Sequence, residues 1–170
     1  MALIVCLLIA ACDRGPVPLV EYRNESIGVA LRHPRGWTVL TAPDADWVQI
    51  VPPQGSGAQP DPLRYSEFVS IRMVRGVRSA DEDRMRGIAF SELPFHGVAK
   101  FQREAVSGGE ARYRFEGTGT SAIGQWASVG VLIVGRERAL HVVCAKPIER
   151  WRDGQRECDD VIASVEVSGR

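Results

Sequence analysis

The residues from Gln125 to Ser164 constrain the fold more than any other part of the chain. They read as strand, tight turn, strand and amphipathic helix. The run Trp126-Ala127-Ser128-Val129-Gly130-Val131-Leu132-Ile133-Val134 is too apolar to keep one face in water. After the turn Gly135-Arg136-Glu137-Arg138, Ala139-Leu140-His141-Val142-Val143-Cys144-Ala145 returns beside it. Continuous apolar runs suit central strands covered on both faces, whereas a half-exposed strand alternates. Pro147 is expected to open the following helix, whose first turn has no use for the missing N–H. Ile148, Trp151, Cys158, Val161 and Ile162 then recur at helical spacing and predict one inward stripe. The rest of the chain must extend this strand pair or cover it.

The upstream residues supply such elements. Ile27, Val29 and Leu31 share one face of an alternating run, Pro34-Arg35-Gly36 turns, and Trp37-Thr38-Val39-Leu40 resumes as a strand. Trp47 to Val51 is a third short strand, and residues 52 to 62, with two glycines and four prolines, make a loop. Glu67 to Arg75 is a strand with Val69, Ile71 and Met73 inward. Ser79 and Glu82 have the spacing of a capping box for a helix whose stripe is Met85, Ile88, Ala89 and Leu93, ended by Pro94. Val98 to Val106 and Glu110 to Gly117 are expected to pair across Ser107-Gly108-Gly109. Ala111, Tyr113 and Phe115 then face inward and Arg112, Arg114 and Glu116 outward. Short connections make the sheet mainly antiparallel. The expected fold is α+β, a twisted antiparallel sheet sandwiched by helices.

At 170 residues the chain suits one domain with a full core. Its 21 basic and 21 acidic side chains cancel. A nucleic-acid binder needs an excess of positive charge, so that class is disfavoured. Nearly every cation is arginine, since Lys100 and Lys146 are the two lysines.

The first eleven residues, Met1 to Ala11, carry no charge and then meet Cys12-Asp13-Arg14. So short an apolar run falls short of a bilayer core of about 30 Å and matches the apolar part of an export signal. Ile9-Ala10-Ala11-Cys12 resembles a bacterial lipobox, in which cleavage precedes a cysteine that carries diacylglycerol and a further fatty acid such as palmitate. Several acyl chains on one residue anchor stably. No Lys or Arg precedes the apolar run, a departure from the usual signal. The expected organisation is a signal at 1–11, a lipid-anchored tether at 12–25 and one domain at 26–170. The protein is then attached to a bacterial membrane through Cys12, on the outer face of the cytoplasmic membrane or on the periplasmic side. Asn24-Glu25-Ser26 fits a glycosylation sequon, which carries little meaning in such a protein.

The strand leading into His33-Pro34-Arg35-Gly36-Trp37, the Gly108-Gly109 hairpin before Ala111-Arg112-Tyr113-Arg114-Phe115, and the ending Ile162-Ala163-Ser164-Val165 resemble PsbP-like proteins. The resemblance spans roughly Ser26 to Val167 in order of elements, on short motifs. It implies an antiparallel sheet between helices. It also implies a non-enzymatic binding or assembly role, because the family holds extrinsic photosystem subunits and related bacterial lipoproteins without assigned activity.

Among residues that carry chemistry, Cys144 and Cys158 stand out. The first shares a strand face with Leu140 and Val142, and the second lies on the helix stripe. Folding the helix back brings the thiols together, and an oxidising compartment closes such a pair. Two buried free cysteines are the alternative, and two thiols without nearby histidines do not make a zinc site. His33, His96 and His141 have no nucleophile in a recognisable pattern, and no G-x-S-x-G, H-E-x-x-H or phosphate loop occurs. No catalytic residue, metal ligand or cofactor is therefore assigned. Asp81-Glu82-Asp83 suits a helix start. Glu157, Asp159 and Asp160 form an acidic face that calcium or manganese could use, with solvation as the simpler role. Trp37 and Trp151 are expected in the core, while Trp47 and Trp126 suit either core or a partner surface.

The sequence thus reads as a monomeric, lipid-anchored envelope protein that binds or helps assemble a membrane-associated partner without catalysis. Two alternatives remain open from it: an envelope hydrolase with a triad assembled in space, and a metal carrier.

Overall fold

The computed structural model describes residues 17–41, 45–53, 65, 67–77, 81–91, 95–105, 111–135 and 137–167. Their strands are β1 (Leu19–Asn24), β2 (Val29–Pro34), β3 (Thr38–Leu40), β4 (Trp47–Val51) and β5 (Phe68–Arg75). After helix α1 (Glu82–Ser91) come β6 (Phe95–Glu104), β7 (Ala111–Ser121), β8 (Gly124–Val134) and β9 (Arg138–Pro147). A 3-10 turn, Ile148–Arg150, leads into α2 (Trp151–Ala163), and β10 (Glu166–Val167) follows.

A seven-stranded sheet has the order β3-β4-β5-β9-β8-β7-β6, and a second sheet has the order β1-β2-β10. Every pairing in both is antiparallel. The chain builds one half of the large sheet as a meander, β3 to β5. It then crosses by way of α1 to the far edge and returns strand by strand, so that β9 closes against β5. β8 and β9 therefore sit in the middle, and their apolar runs are buried on both faces.

Two cores result. On one face, Val129, Val131, Leu140, Val142 and Cys144 pack with Ile27, Val29 and Leu31 of the small sheet region and with Cys158, Val161 and Ile162 of α2. On the other face, Tyr113, Phe115, Trp126, Leu132 and Val143 pack with Met85 and Ala89 of α1. The helices thus lie on opposite faces of an antiparallel sheet, as expected from the pattern.

Several local expectations change. β1 takes up Leu19–Asn24, inside the stretch read as tether, because Leu19 and Tyr22 pack on the first core while β2 supplies backbone partners. Pro147 ends β9 instead of opening the helix: its ψ of 137° is extended, and α2 starts only at Trp151. Ile148 lies in the intervening turn and is 44% exposed, so it leaves the inward stripe. The cap of α1 is Asp81, whose carboxylate accepts from the Arg84 N–H at 2.9 Å. Ser79, Leu93, Pro94 and the Ser107-Gly108-Gly109 turn lie outside the described residues. Arg112 and Arg114 lie on the face opposite Tyr113, as read, but reach α2 instead of open solvent: Arg112 donates to the Ile162 carbonyl at 3.1 Å and Arg114 meets Asp159 at 2.5 Å.

Candidate functional site

The chemistry-bearing residues gather around the junction of β9 and α2. Cys144 and Cys158 are joined as a disulfide with Cα atoms 5.2 Å apart, linking the central strand to the helix that covers it. Both cysteines are fully buried in the first core. Cys12 and residues 1–11, read from the sequence as an export signal, lie outside the described residues.

Two residues beyond Cys144, Lys146 is 3% exposed. Its ammonium donates to Glu67 at 2.6 Å and to Glu157 at 3.0 Å, and it sits 5.4 Å from the centre of the Trp37 ring. Arg150 donates to the other oxygen of Glu67 at 3.0 Å. Each element has its reason. β9 carries Lys146 to the end of the sheet beside the start of β5, which brings Glu67 into reach. α2 then lays Glu157 over the same point. Gly154 makes this possible, since a Cβ there would collide with Cδ of Lys146. An ammonium taken out of water must be paired, and here two carboxylates and an aromatic face do so. The arrangement ties β5, β9, α2 and Trp37 together.

The histidines serve the cores. His141 is fully buried, stacks on Phe115 at 5.3 Å, and bonds the Ala89 carbonyl through Nε2 at 2.9 Å. Its Nδ1 has no hydrogen-bond partner, so the neutral ring with the proton on Nε2 fits the site. Burial lowers its pKa to about 4, against the Ala89 carbonyl, which favours the charged form; the Arg72 charge lowers it further. His33 is buried beside Tyr22, bonds the Pro34 carbonyl at 3.0 Å, and has its pKa lowered by burial. His96 is exposed on β6. The three rings are not brought together.

The acidic helix face is engaged in pairs. Glu157 holds Lys146 and Asp159 holds Arg114. Among the described residues no three His, Cys, Asp or Glu side chains converge as metal ligands. Trp126 is buried at 1% exposure, which resolves its two readings in favour of the core, while Trp37 and Trp151 pack on the first core from its margin. Asn24 shapes the β1–β2 turn, accepting from Ser26 Oγ at 2.7 Å and from the Ile27 N–H at 3.1 Å.

At the opposite end of the sheet, Ser26, Met73, Arg75, Gly76, Glu137 and Arg138 line a shallow cleft of about 340 Å³. Arg75 is held there by a two-point contact with Asp46, at 2.6 and 3.0 Å, which keeps the Asp46 carboxyl below its ordinary pKa. No helix among the described residues is long and apolar enough to cross a membrane.

No protein-family model matches the sequence, and no curated protein matches it. Solved structures do. The chain is similar to the cyanobacterial PsbP protein CyanoP of Synechocystis sp. PCC 6803, with a TM-score of 0.58 at 15% identity over 94% of this chain and 98% of that one. The fold is PsbP-like. The same fold relates it to LpqN, described as involved in cell envelope biogenesis of Mycobacterium tuberculosis. That match has a TM-score of 0.51 at 14% identity, over 83% of each chain. A Bacteroides thetaiotaomicron protein matches with a TM-score of 0.53 at 12% identity, over 88% of this chain but 48% of its own. At such identities the likeness concerns the PsbP-like fold and not residue roles.

Sequence reading missed the Lys146 cluster. Its one visible signal is a lysine ending an apolar run in a chain whose cations, Lys100 apart, are otherwise arginines. Glu67 lies 79 positions away, and only the β5–β9 register makes it a neighbour.

Proposed function

We propose that the protein is a lipid-anchored component of a bacterial cell envelope, acting as a non-catalytic module that binds or helps assemble a membrane-associated partner. The observation that carries this reading is the lipobox Ile9-Ala10-Ala11-Cys12, placed seven residues ahead of the first strand of the folded domain. Seven residues reach at most about 25 Å when fully extended. A lipid on Cys12 would hold the domain close to the bilayer surface, within range of membrane proteins. The Cys144–Cys158 bond supports export, because structural disulfides persist in oxidising compartments and are rare in reducing ones. LpqN, with the same fold, is described in an envelope context, which agrees with the reading.

Lys146, Glu67, Glu157, Arg150 and Arg114 are spent on holding elements together, which suits a rigid platform. Chemical cross-linking in native membranes, with mass spectrometry of the products, tests the proposal. A reproducible membrane-protein adduct is expected from the wild-type protein, and its loss in Cys12→Ala. Recovery of the wild-type protein from the soluble fraction, or turnover of a small substrate by the purified protein, would overturn it.

A further inference from the structure

The register of the two sheets places the start of the folded domain at one particular end of the molecule. The Arg35 N–H donates to the Pro18 carbonyl at 2.9 Å and Leu19 pairs with Pro34, so Val17 and Pro18 lie beside the β2–β3 turn. Two residues on, Trp37 carries Lys146 over its ring, and Thr38 pairs with Val51 at the same end of the large sheet. Pro147 pairs with Trp126 there, and β8 continues past it to the β7–β8 hairpin, closed by the pair Ser121 and Gly124. The point where the chain enters the domain, the β9–α2 junction and this hairpin tip therefore share one end.

The exposed apolar side chains concentrate at that end. Ile123 at the hairpin tip is 63% exposed, Val17 45% and Ile148 44%. The other exposed large hydrophobic residues among those described, Val39 and Val167, are 36% each; Val167 pairs with Val29, at the far end of the small sheet. The hairpin tip also lacks charge, for no charged residue occurs between Glu116 and Arg136. An exposed isoleucine on an uncharged turn gains nothing in water and inserts readily among lipid headgroups.

We propose that the end of the domain bearing Val17, Ile123 and Ile148 docks on the lipid surface itself, with the two isoleucines entering the boundary between headgroups and acyl chains. The inference rests on the lipid-anchor reading of Cys12. Val17 is five positions beyond Cys12, a reach of at most about 18 Å, so this end cannot stand far from the bilayer. Two isoleucines are too little to hold a free protein on a membrane. Once a lipid tethers the domain, the second contact becomes intramolecular and needs only modest strength. Exposed Arg35 and Arg150 flank the patch, but so does Glu149, so the contact is mainly apolar and should form on neutral as well as anionic lipid.

The test uses full-length lipidated protein reconstituted into phosphatidylcholine–phosphatidylglycerol vesicles. Ile123→Cys, Ile148→Cys and, as the distant control, Val167→Cys are each labelled with an environment-sensitive fluorophore. With Cys12 acylated and Cys144 bonded to Cys158, the introduced thiol is the one that reacts. Blue-shifted emission and quenching by lipid-borne nitroxides are expected at 123 and 148 and not at 167, with burial of about 5–10 Å into the interface. Identical, unquenched emission at all three sites in protein that stays on the vesicles would overturn the docking and leave the anchor intact. Labels unquenched in pure lipid but shielded in native membranes would assign the surface to a protein partner and overturn lipid docking. Protein that leaves the vesicles, with no acyl mass on Cys12, would instead remove the anchor reading, and the docking with it.

Discussion

Lys146 shows how a single residue can reverse the usual rules. A glycine in the middle of a helix normally weakens it, and replacing it by alanine is worth about 1 kcal/mol of stability. At Gly154 the new Cβ would strike the Lys146 side chain, whose ammonium is fixed by Glu67 and Glu157. Removing one partner from a buried ion pair costs about 3 kcal/mol, which outweighs the helix gain. Gly154→Ala is therefore expected to destabilise the protein, and Lys146→Ala to destabilise it by about 3 kcal/mol. Combining Gly154→Ala with Lys146→Met is expected to cost less than the sum of the two single substitutions, because both disturb the same Lys146 contacts. Urea unfolding of the three variants checks the signs. Lys146→Arg is not expected to substitute for lysine, because the planar guanidinium does not fit a site shaped around a point charge.

His141 makes stability depend on pH. Its folded pKa is about 4, below the ordinary 6.5, so the native ring stays neutral while the unfolded one takes up a proton. The stabilisation is complete above pH 6.5 and disappears as pH falls through 4. At most it amounts to about 3 kcal/mol, with unfolding midpoints measured between pH 7.5 and 4.5 as the check. His33 shifts in the same direction and adds to the slope. His141→Phe, which keeps the stack on Phe115, should flatten that slope by about one proton. Neither property was legible in the sequence. A histidine inside an apolar run looks like any other, and its environment depends on α1 folding over β9.

At the scale of elements, legibility followed the length and purity of the pattern. The runs of β8 and β9 and the stripe of α2 are long and uninterrupted, and they form where the sequence places them. β1 escaped notice because its six residues mix Glu21 and Arg23 with the apolar ones and follow two prolines. β10 is two residues long and exists only because α2 ends beside β2. The pairing of Cys144 with Cys158 was readable because both elements were. Reducing it opens a loop with a sequence separation of 14, and the chain-entropy argument gives a loss of about 3 kcal/mol. Denaturant titration with and without reductant checks this. Gly130 in β8 is a further element-scale constraint: a Cβ there would stand 2.8 Å from the Val142 carbonyl and run into the Phe115 ring. Gly130→Ala is expected to cost about 1–3 kcal/mol, an overpacking loss visible as a lower thermal midpoint.

For the whole molecule, the proposed lipid anchor would hold a charge-neutral, disulfide-stapled PsbP-like domain at a membrane. The domain presents its cleft, lined by Arg75 and Arg138, at the end away from the hairpin tip. If the lipid holds one end at the bilayer, the other faces outward and is the surface available to a soluble partner. Charge reversal at Arg75 is expected to weaken any cross-linked adduct formed through that end without releasing the protein from the membrane. Membrane attachment itself is decided by the intact mass of the protein extracted from membranes under non-reducing conditions. The expected species begins at Cys12, carries a diacylglyceryl group and a further acyl chain, and has Cys144 and Cys158 oxidised. A chain that keeps Met1 to Ala11, or begins elsewhere with an unmodified Cys12, would contradict it.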